Sequence, residues 1–425
     1  MRKNLFLFCL FLFFMGCSVK QNLKNPQILE LEFEQNATIL QTFGNETRKE
    51  KDEFLNKYFK VWDSQKPDVK QIKKLQKSVF WGLTYAKNAN LRFDKFGNNY
   101  DENFLNSINF NANTDEFATL WQPGITIKNT LLRNIPSDSE IYANPASPGE
   151  GYPFDYAANS ALSVAYPVLV SHFSVDKKWV FVQNDAVWGW IKSEDIKFLD
   201  ENQIQIYKNS NFLTILQDGV ELKNQNNEVI LNARIGGILP FNFQNQTHFS
   251  GILPNNQRYF LDKHNASIFP AKMSDENIKN TINSLLGQNY GWGGIDFLRD
   301  CSLLTKDFFA TFGIWLPRNS KVQSNNGEKL NISHLSNGEK LDFIKQNGIA
   351  YKTLIYKNGH IMLYVGLIDE KVGILHDMWG LKTLDGKRAV AGKTVLTTLE
   401  IGQERQDIAT NNLLISQISA ITILE

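Results

Sequence analysis

The sequence predicts a multidomain α+β chain, with an N-terminal helical segment, two small units of short β-strands, and a C-terminal domain of mixed helix and strand. Three observations predict it. The chain has 425 residues, more than one hydrophobic core supports. Helical spacing gives way near residue 113 to short β-type runs separated by turns, and these continue to about residue 273. From residue 274 helical spacing returns, and it brings a lone cysteine, Cys301, to the start of an amphipathic pattern.

Composition bounds the function. Hydrophobic residues make up 42% and charged residues 21%, an ordinary globular balance rather than a disordered one. The formal net charge is +1, and removing residues 1–16 takes away Arg2 and Lys3 to leave −1. A near-neutral chain has no global attraction to nucleic acid, and none is expected as a partner.

Arg2 and Lys3 form a charged start, and Leu5 to Met15 is an apolar run too short to span a bilayer comfortably. The run ends in Phe13-Phe14-Met15-Gly16-Cys17, which resembles a bacterial lipobox with bulkier residues than usual at 13 and 14. The resemblance implies that residues 1–16 are a signal peptide, with cleavage before Cys17 and diacylglycerol on its sulfur. Lipid chains would then hold an exported protein on the periplasmic face of a membrane of the cell envelope. Of the three cysteines, Cys9 would leave with the signal and Cys17 would be lipidated. Only Cys301 would stay free, and catalysis is a reason for an exported protein to keep one free thiol.

Residues 17–45 are polar and read as a tether. Residues 46–112 read as a helical cap, with Ile72, Leu75, Val79 and Leu83 at 3–4 spacing after Pro67 and an irregular Asn-rich stretch from Asn88 to Asn113. In 113–198 the β-type runs are Ile125–Ile127, Leu162–Val170, Trp179–Val182 and Val187–Ile191. Trp179-Val-Phe-Val-Gln183 followed by Val187-Trp-Gly-Trp-Ile191, with Glu194 and Asp195 after it, resembles the central hairpin of a bacterial SH3 domain. Leu132 to Pro136 and the long insert Tyr142–Asn159 resemble the first SH3 domain of certain cell-wall peptidases. Residues 199–273 repeat the spacing with Gln203–Tyr207, Phe212–Leu216, Gly219–Leu222, Val229–Leu231 and Gly236–Phe241, and look like a second, more divergent SH3 barrel.

Residues 274–425 carry the chemistry. Ser274 can cap a helix whose face is Ile278, Ile282 and Leu285, ended by Gly287. Tyr290-Gly-Trp-Gly-Gly294 follows. It lacks the Lys-Ser/Thr of a phosphate loop and a preceding strand, which excludes nucleotide binding. Asp300 is a good N-cap, Leu304, Phe308 and Phe312 recur every four residues, and Gly313 sits where a C-cap belongs. Cys301 would therefore lie in the first helical turn, where the helix dipole should lower its pKa from about 8.5 toward neutrality. Such a thiol is a nucleophile candidate that needs a histidine base; the alternative is a buried, inert cysteine.

His360 opens the strand-like run His-Ile-Met-Leu-Tyr-Val, and His376 closes Val-Gly-Ile-Leu-His. Two antiparallel strands could set both rings side by side, with His360 as general base and His376 orienting it. Asp377 or Asp369 could hold that third role instead. Separations of 59 and 16 residues among the three match no common zinc spacing, so no metal is expected.

Tyr-Gly-Trp-Gly-Gly, Asp-Cys-Ser, Phe-Gly-Ile-Trp-Leu-Pro-Arg-Asn-Ser with a following Gln, and Gly-His-Ile-Met-Leu-Tyr-Val-Gly, in this order over about 274–400, resemble the NlpC/P60 cell-wall peptidases. Leu303 departs from them, standing where many members have Gly. The resemblance implies a papain-like catalytic domain and a Cys301–His360–His376 mechanism without a cofactor. It implies cleavage between γ-D-glutamate and the diamino acid of a peptidoglycan stem peptide, with the SH3 units narrowing the cleft toward a free L-alanine N-terminus. The backbone N–H of Cys301 can serve a developing oxyanion. The Tyr290 hydroxyl assists there or only packs. Asp300 and Ser302 bind the substrate amine, or Asp300 is only a cap. Arg318 pairs with a substrate carboxylate or with Asp300. Asp155 and Tyr156, in the long insert, would close one end of the cleft. The competing readings are an N-acetylmuramoyl-L-alanine amidase, a cross-link hydrolase, a thiol acyltransferase, and a non-catalytic peptidoglycan-binding lipoprotein.

Overall fold

The computed structural model describes residues 27–424 apart from 45 and 89. The expected signal peptide and Cys17 lie outside the described residues. No helix among the described residues is long and apolar enough to cross a membrane.

The described chain opens with strand β1 (Gln27–Ile28) and helices α1 (Lys51–Tyr58), α2 (Val69–Val79) and α3 (Glu102–Asn111). Residues 27–44, expected as part of a tether, are instead strapped along the C-terminal domain. The Glu32 carboxylate accepts the N–H and hydroxyl of Thr398 at 2.6 and 2.7 Å, and the Gln35 amide exchanges hydrogen bonds with the backbone of Leu396. Asp68 caps α2 in a reciprocal pair with Gln71. The third helix falls inside the stretch expected to be irregular. Its signal is Asp101, whose side chain accepts the N–H of Phe104. Phe54, Tyr58, Phe59 and Trp62 fill the seam between the two β-units, and the Trp62 indole donates to the carbonyls of Gly124 and Val168.

The first β-unit is one sheet ordered β4-β3-β7-β6-β5-β2-β8, from β2 (Gln122–Thr126), β3 (Thr130–Arg133), β4 (Ala158–Leu162), β5 (Pro167–Phe173), β6 (Trp179–Gln183), β7 (Trp188–Lys192) and β8 (Ile196–Phe198). Its hairpin pairs Phe181 with Trp190, and Trp190 is fully buried. Gln203–Tyr207, expected as a strand, lies in α4 (Glu201–Lys208). Asp200 and Gln203 form a capping box there, and that local pairing decides for helix over the alternation of Ile204 and Ile206. The second unit folds into a three-stranded and a five-stranded sheet from β9 (Asn211–Ile215), β10 (Val220–Lys223), β11 (Val229–Ala233), β12 (Ile238–Phe241), β13 (Phe243–Gln244), β14 (His248–Ile252), β15 (Arg258–Asp262) and β16 (Ala266–Ile268).

The C-terminal domain holds α5 (Asp275–Leu285), α6 (Cys301–Thr311), α7 (Ser320–Gln323), α8 (Asn337–Asn347) and α9 (Leu414–Gln417). Its strands are β17 (Glu328–Asn331), β18 (Thr353–Lys357), β19 (His360–Ile368), β20 (Lys371–Lys382), β21 (Arg388–Thr398) and β22 (Ile418–Ile423), in a sheet ordered β1-β21-β20-β19-β18-β22-β17. Leu304, Phe308 and Phe312 of α6 share one core with Ile361, Leu363 and Leu375 of the sheet. Leu303 is buried as well, so it contributes packing.

Buried polar contacts lock the β-units onto this domain. Asp185 accepts from the Tyr166 hydroxyl (2.6 Å), the Lys306 ammonium (3.1 Å) and the Trp315 indole (2.6 Å). Arg299 pairs with Asp218 and Asp307. Gly293 and Gly294 have positive φ, and a Cβ on either would stand 2.6–2.7 Å from the backbone of Ala158 or Ala161 in β4. Their missing side chains are what let β4 dock beside the turn that precedes Cys301.

Candidate active site

Cys301 is the first residue of α6, as its position after Asp300 predicts. The Asp300 carboxylate accepts the N–H groups of Ser302 and Leu303 and leaves the Cys301 N–H unclaimed among the described residues. The thiol itself is 7% exposed, and the backbone N–H of Ile361 lies near enough to its sulfur to favour the charged form.

That burial corrects the expectation of a near-neutral thiol. Burial first, and the negative charge of Asp300 second, push the Cys301 thiol up to about 12, against the help of the Ile361 N–H. The helix terminus is outweighed because desolvation opposes any charge on the sulfur. That balance favours a neutral thiol at rest.

The two histidines meet. His360 Nε2 lies 2.9 Å from His376 Nδ1, and His376 Nε2 lies 3.1 Å from Thr397 Oγ1. The Thr397 hydroxyl donates its proton to the carbonyl of Thr398 at 3.1 Å, so toward His376 it accepts. This favours one direction for the chain of bonds. In that direction His376 carries its proton on Nε2 and accepts on Nδ1, while His360 donates from Nε2 and keeps a free lone pair on Nδ1. Burial, the neighbouring His376 and the Lys357 ammonium hold the His360 imidazole well below its usual range. Burial, then Lys357, lowers His376 to about 3. Both rings are neutral bases at neutral pH. Asp369, the alternative third group, is exposed in the turn at the far end of β19. Asp377 is fully buried, and neither carboxyl oxygen has a partner of ordinary geometry among the described residues. Burial raises it well above the usual carboxylate range.

Asp300, Ser302 and Arg318 saturate one another. The Arg318 guanidinium donates to both Asp300 oxygens (2.9 and 2.6 Å) and to Ser302 Oγ (2.7 Å), while Ser302 Oγ donates to Asp300 at 2.9 Å. The Gly293 N–H also donates to Asp300. Burial raises the Asp300 carboxyl, but the Arg318 charge and these hydrogen bonds outweigh it and hold the group below the usual range. Of the two readings left open by the sequence, Arg318 thus pairs with Asp300, and Asp300 is the helix cap.

Asp155, expected at the cleft, is fully buried. It accepts from the backbone of Ile141 and Ala157 at 2.8 Å each and from Arg133 at 3.3 Å, so it pins the long insert from inside. The insert's contribution to the cleft comes from residues beside it. A cavity of about 290 Å³ is lined by Glu150, Phe154 and Tyr156 from the insert, by Tyr290 and Trp292, and by Lys357, His360, Asp377, Trp379 and Arg388 from the sheet. The Tyr156 hydroxyl faces the Glu150 carboxylate at 3.3 Å. Tyr290 is buried, and burial, then the proximity of Cys301, raises its hydroxyl well above the usual range, so it remains a donor. Sequence reasoning missed Glu150, Lys357 and Arg388. They come from three distant stretches, and no local pattern marks them.

Three segments match known family models. Residues 140–192 match the SH3 domain of SH3b1 type, residues 200–244 the SH3 domain of SH3b2 type, and residues 287–381 the NlpC/P60 family. A curated relative, the gamma-D-glutamyl-L-lysine dipeptidyl-peptidase of Bacillus cereus, is 28% identical over 214 residues, 45% of this chain and 61% of its own. The chain therefore spans about three fifths of that relative's length. A solved structure described as an NlpC/P60 endopeptidase from Photobacterium damselae subsp. piscicida superposes with a TM-score of 0.79 at 27% identity, covering 94% of this chain and 99% of that one.

Proposed function

This chain carries two SH3b domains followed by an NlpC/P60 domain, and from that premise we propose that it is a cell-wall cysteine peptidase acting on the γ-D-glutamyl–diamino acid bond of peptidoglycan stem peptides. The observation that carries the reading is the relay from Thr397 through His376 to His360, on the strand whose next residue brings its N–H near the Cys301 sulfur.

In the proposed reaction the Cys301 sulfur attacks the γ-carbonyl carbon as its proton passes to His360 Nδ1. The transfer accompanies attack, since both partners are neutral at rest. The oxyanion takes the free N–H of Cys301 and the Tyr290 hydroxyl as donors. When the C–N bond breaks, the imidazolium returns the proton to the leaving amine. Water then hydrolyses the thioester, giving up its proton through His360, and the thiol is restored. His376 holds the base in its working tautomer and shares the positive charge.

A substrate with a free N-terminal amine suits the cavity, where Glu150 and Tyr156 offer an anionic wall beside Trp292. The relative named above as a dipeptidyl-peptidase supports the same reading. From residues 2–17 we further propose that the protein is an exported lipoprotein, held through Cys17 at the periplasmic face of the cell envelope.

Digestion of muropeptides followed by mass analysis tests the proposal, with the Cys301→Ala chain beside wild type. Wild type should release L-Ala-γ-D-Glu and the variant should not. Release of bare muramic acid would instead identify an amidase. Equal inertness of both chains, with retained binding to sacculi, would leave a wall-binding lipoprotein.

A further inference from the structure

We propose that Lys357 and Arg388 form a carboxylate-binding subsite for the leaving diamino acid, so that the enzyme prefers a diamino acid with a carboxylate on its side chain to lysine. The inference rests on the hydrolase reading above.

Both cations line the cavity that contains His360. Lys357 is the cross-strand partner of His360 in the β18–β19 hairpin, and Arg388 opens β21 opposite Lys382. The pair lies close enough for mutual repulsion, since burial and then the Arg388 charge lower the Lys357 amine. Neither has a carboxylate partner among the described residues. Lys357 donates to the neutral amide of Gln417 at 2.7 Å. The Arg388 guanidinium makes no hydrogen bond or ion pair there, and it lies against Gly149, where a Cβ would stand 3.3 Å from its Nε. Two half-buried cations side by side without an anion are costly, and a carboxylate that pairs with both relieves that cost. Of the two carboxyl groups lining the same cavity, Glu150 faces the Tyr156 hydroxyl instead, and Asp377 is fully buried and held well above the usual carboxylate range.

The side of the scissile bond follows from the chemistry. The acyl carbonyl must face the N–H at the start of α6. The leaving amine must face the imidazole that protonates it. Lys357 stands beside the imidazole as the cross-strand partner of His360, and Arg388 shares its cavity. At the helix end, Asp300, Ser302 and Arg318 are already saturated. A lysine side chain would carry its ammonium toward two cations, whereas a side chain ending in a carboxylate would meet them favourably. In a tripeptide the terminal carboxylate of the same residue offers the same chemistry.

The test compares kcat/KM on L-Ala-γ-D-Glu-diaminopimelate-D-Ala, on the same peptide amidated at the side-chain carboxylate, and on the lysine peptide. A tripeptide ending at the amidated residue supplies only the terminal carboxylate. Arg388→Gln, Arg388→Lys and Lys357→Gln are measured beside wild type. Wild type should lose roughly 10-fold or more when the side-chain carboxylate is amidated. Arg388→Gln and Lys357→Gln should reduce that loss to about twofold or less, and Arg388→Lys should retain part of it. If only the tripeptide restores the preference, the terminal carboxylate is the one bound. Equal sensitivity in wild type and variants overturns the subsite. A variant effect confined to amidation of the D-glutamate α-carboxylate also overturns it. Binding of the same peptides to Cys301→Ala, read by calorimetry, reports the subsite independently of turnover. Wild type inert on every peptide would sink the hydrolase reading, while unchanged discrimination in binding would sink only the subsite.

Discussion

Ile361, one residue along the strand from His360, brings its backbone N–H near enough to the Cys301 sulfur to favour the charged form of the thiol. The start of α6 and the strand that carries His360 thus meet at the sulfur. Burial there shelters the thiol and opposes charge on it.

Alkylation checks the uncharged thiol. With the thiol pushed up to about 12, iodoacetamide should modify Cys301 at pH 7 more slowly than a free cysteine, whose pKa is about 8.5. The rate should keep rising with pH across the range where the protein stays folded. A rapid rate that levels off near pH 6 would reveal a preformed thiolate–imidazolium pair and contradict the neutral ground state.

The relay predicts a graded loss. His360→Ala should lower kcat by about 10²–10⁴-fold through loss of the general base. His376→Ala should also be severe, because without its acceptor the His360 ring can adopt the wrong tautomer. Thr397→Val keeps the shape but removes the acceptor for His376 Nε2–H, and should cost roughly 10-fold, less than loss of either ring. Single-turnover kinetics measure all three. A Thr397→Val enzyme as active as wild type would show that the direction of the relay is immaterial.

Lys357 depresses the basicity of His360, so Lys357→Met should raise it. The sign follows from charge. With the ammonium gone the imidazolium is easier to form, and the base becomes protonated at higher pH. The acid limb of kcat/KM should move upward in pH, read with the lysine peptide so that carboxylate recognition does not intrude. An unmoved or lowered midpoint would remove Lys357 from the electrostatics of the base.

Asp185 is a stability prediction. Its carboxylate gathers Tyr166, Lys306 and Trp315, and its side chain is fully buried. Asp185→Ala leaves the Lys306 ammonium buried and unpaired, which should cost about 3–5 kcal/mol. Chemical denaturation should show the transition shifted to lower denaturant. A shift no larger than that of an exposed substitution would mean that this contact does not lock the units together.

Much of this was legible in the sequence where the signal was local. Asp300 and Gly313 bracket α6 because capping depends on neighbours within a few residues. Both histidines sit on strands because their flanking apolar runs are long enough to declare themselves. What was missed depended on partners far along the chain. Glu32 and Gln35 look like tether residues until β21 lies beside them. The acidity of Cys301 was misjudged because spacing shows a helix start but not the protein that covers it. Asp155 was expected at the cleft and Glu150 was overlooked, because the fold of the insert decides which carboxylate turns inward. Gln203–Tyr207 is the exception, since the capping box of Asp200 and Gln203 was there to be read.

If Cys17 carries the proposed lipid, the strap formed by residues 27–44 limits how far the folded body can stray. With β1 fastened to β21 from Gln27 onward, a lipid-bearing Cys17 would leave only the stretch between them as a leash. Ten residues fully extended reach at most about 33–36 Å. An enzyme so closely moored would work within a few nanometres of its bilayer. It would process small peptides that diffuse to it rather than patrol distant glycan strands.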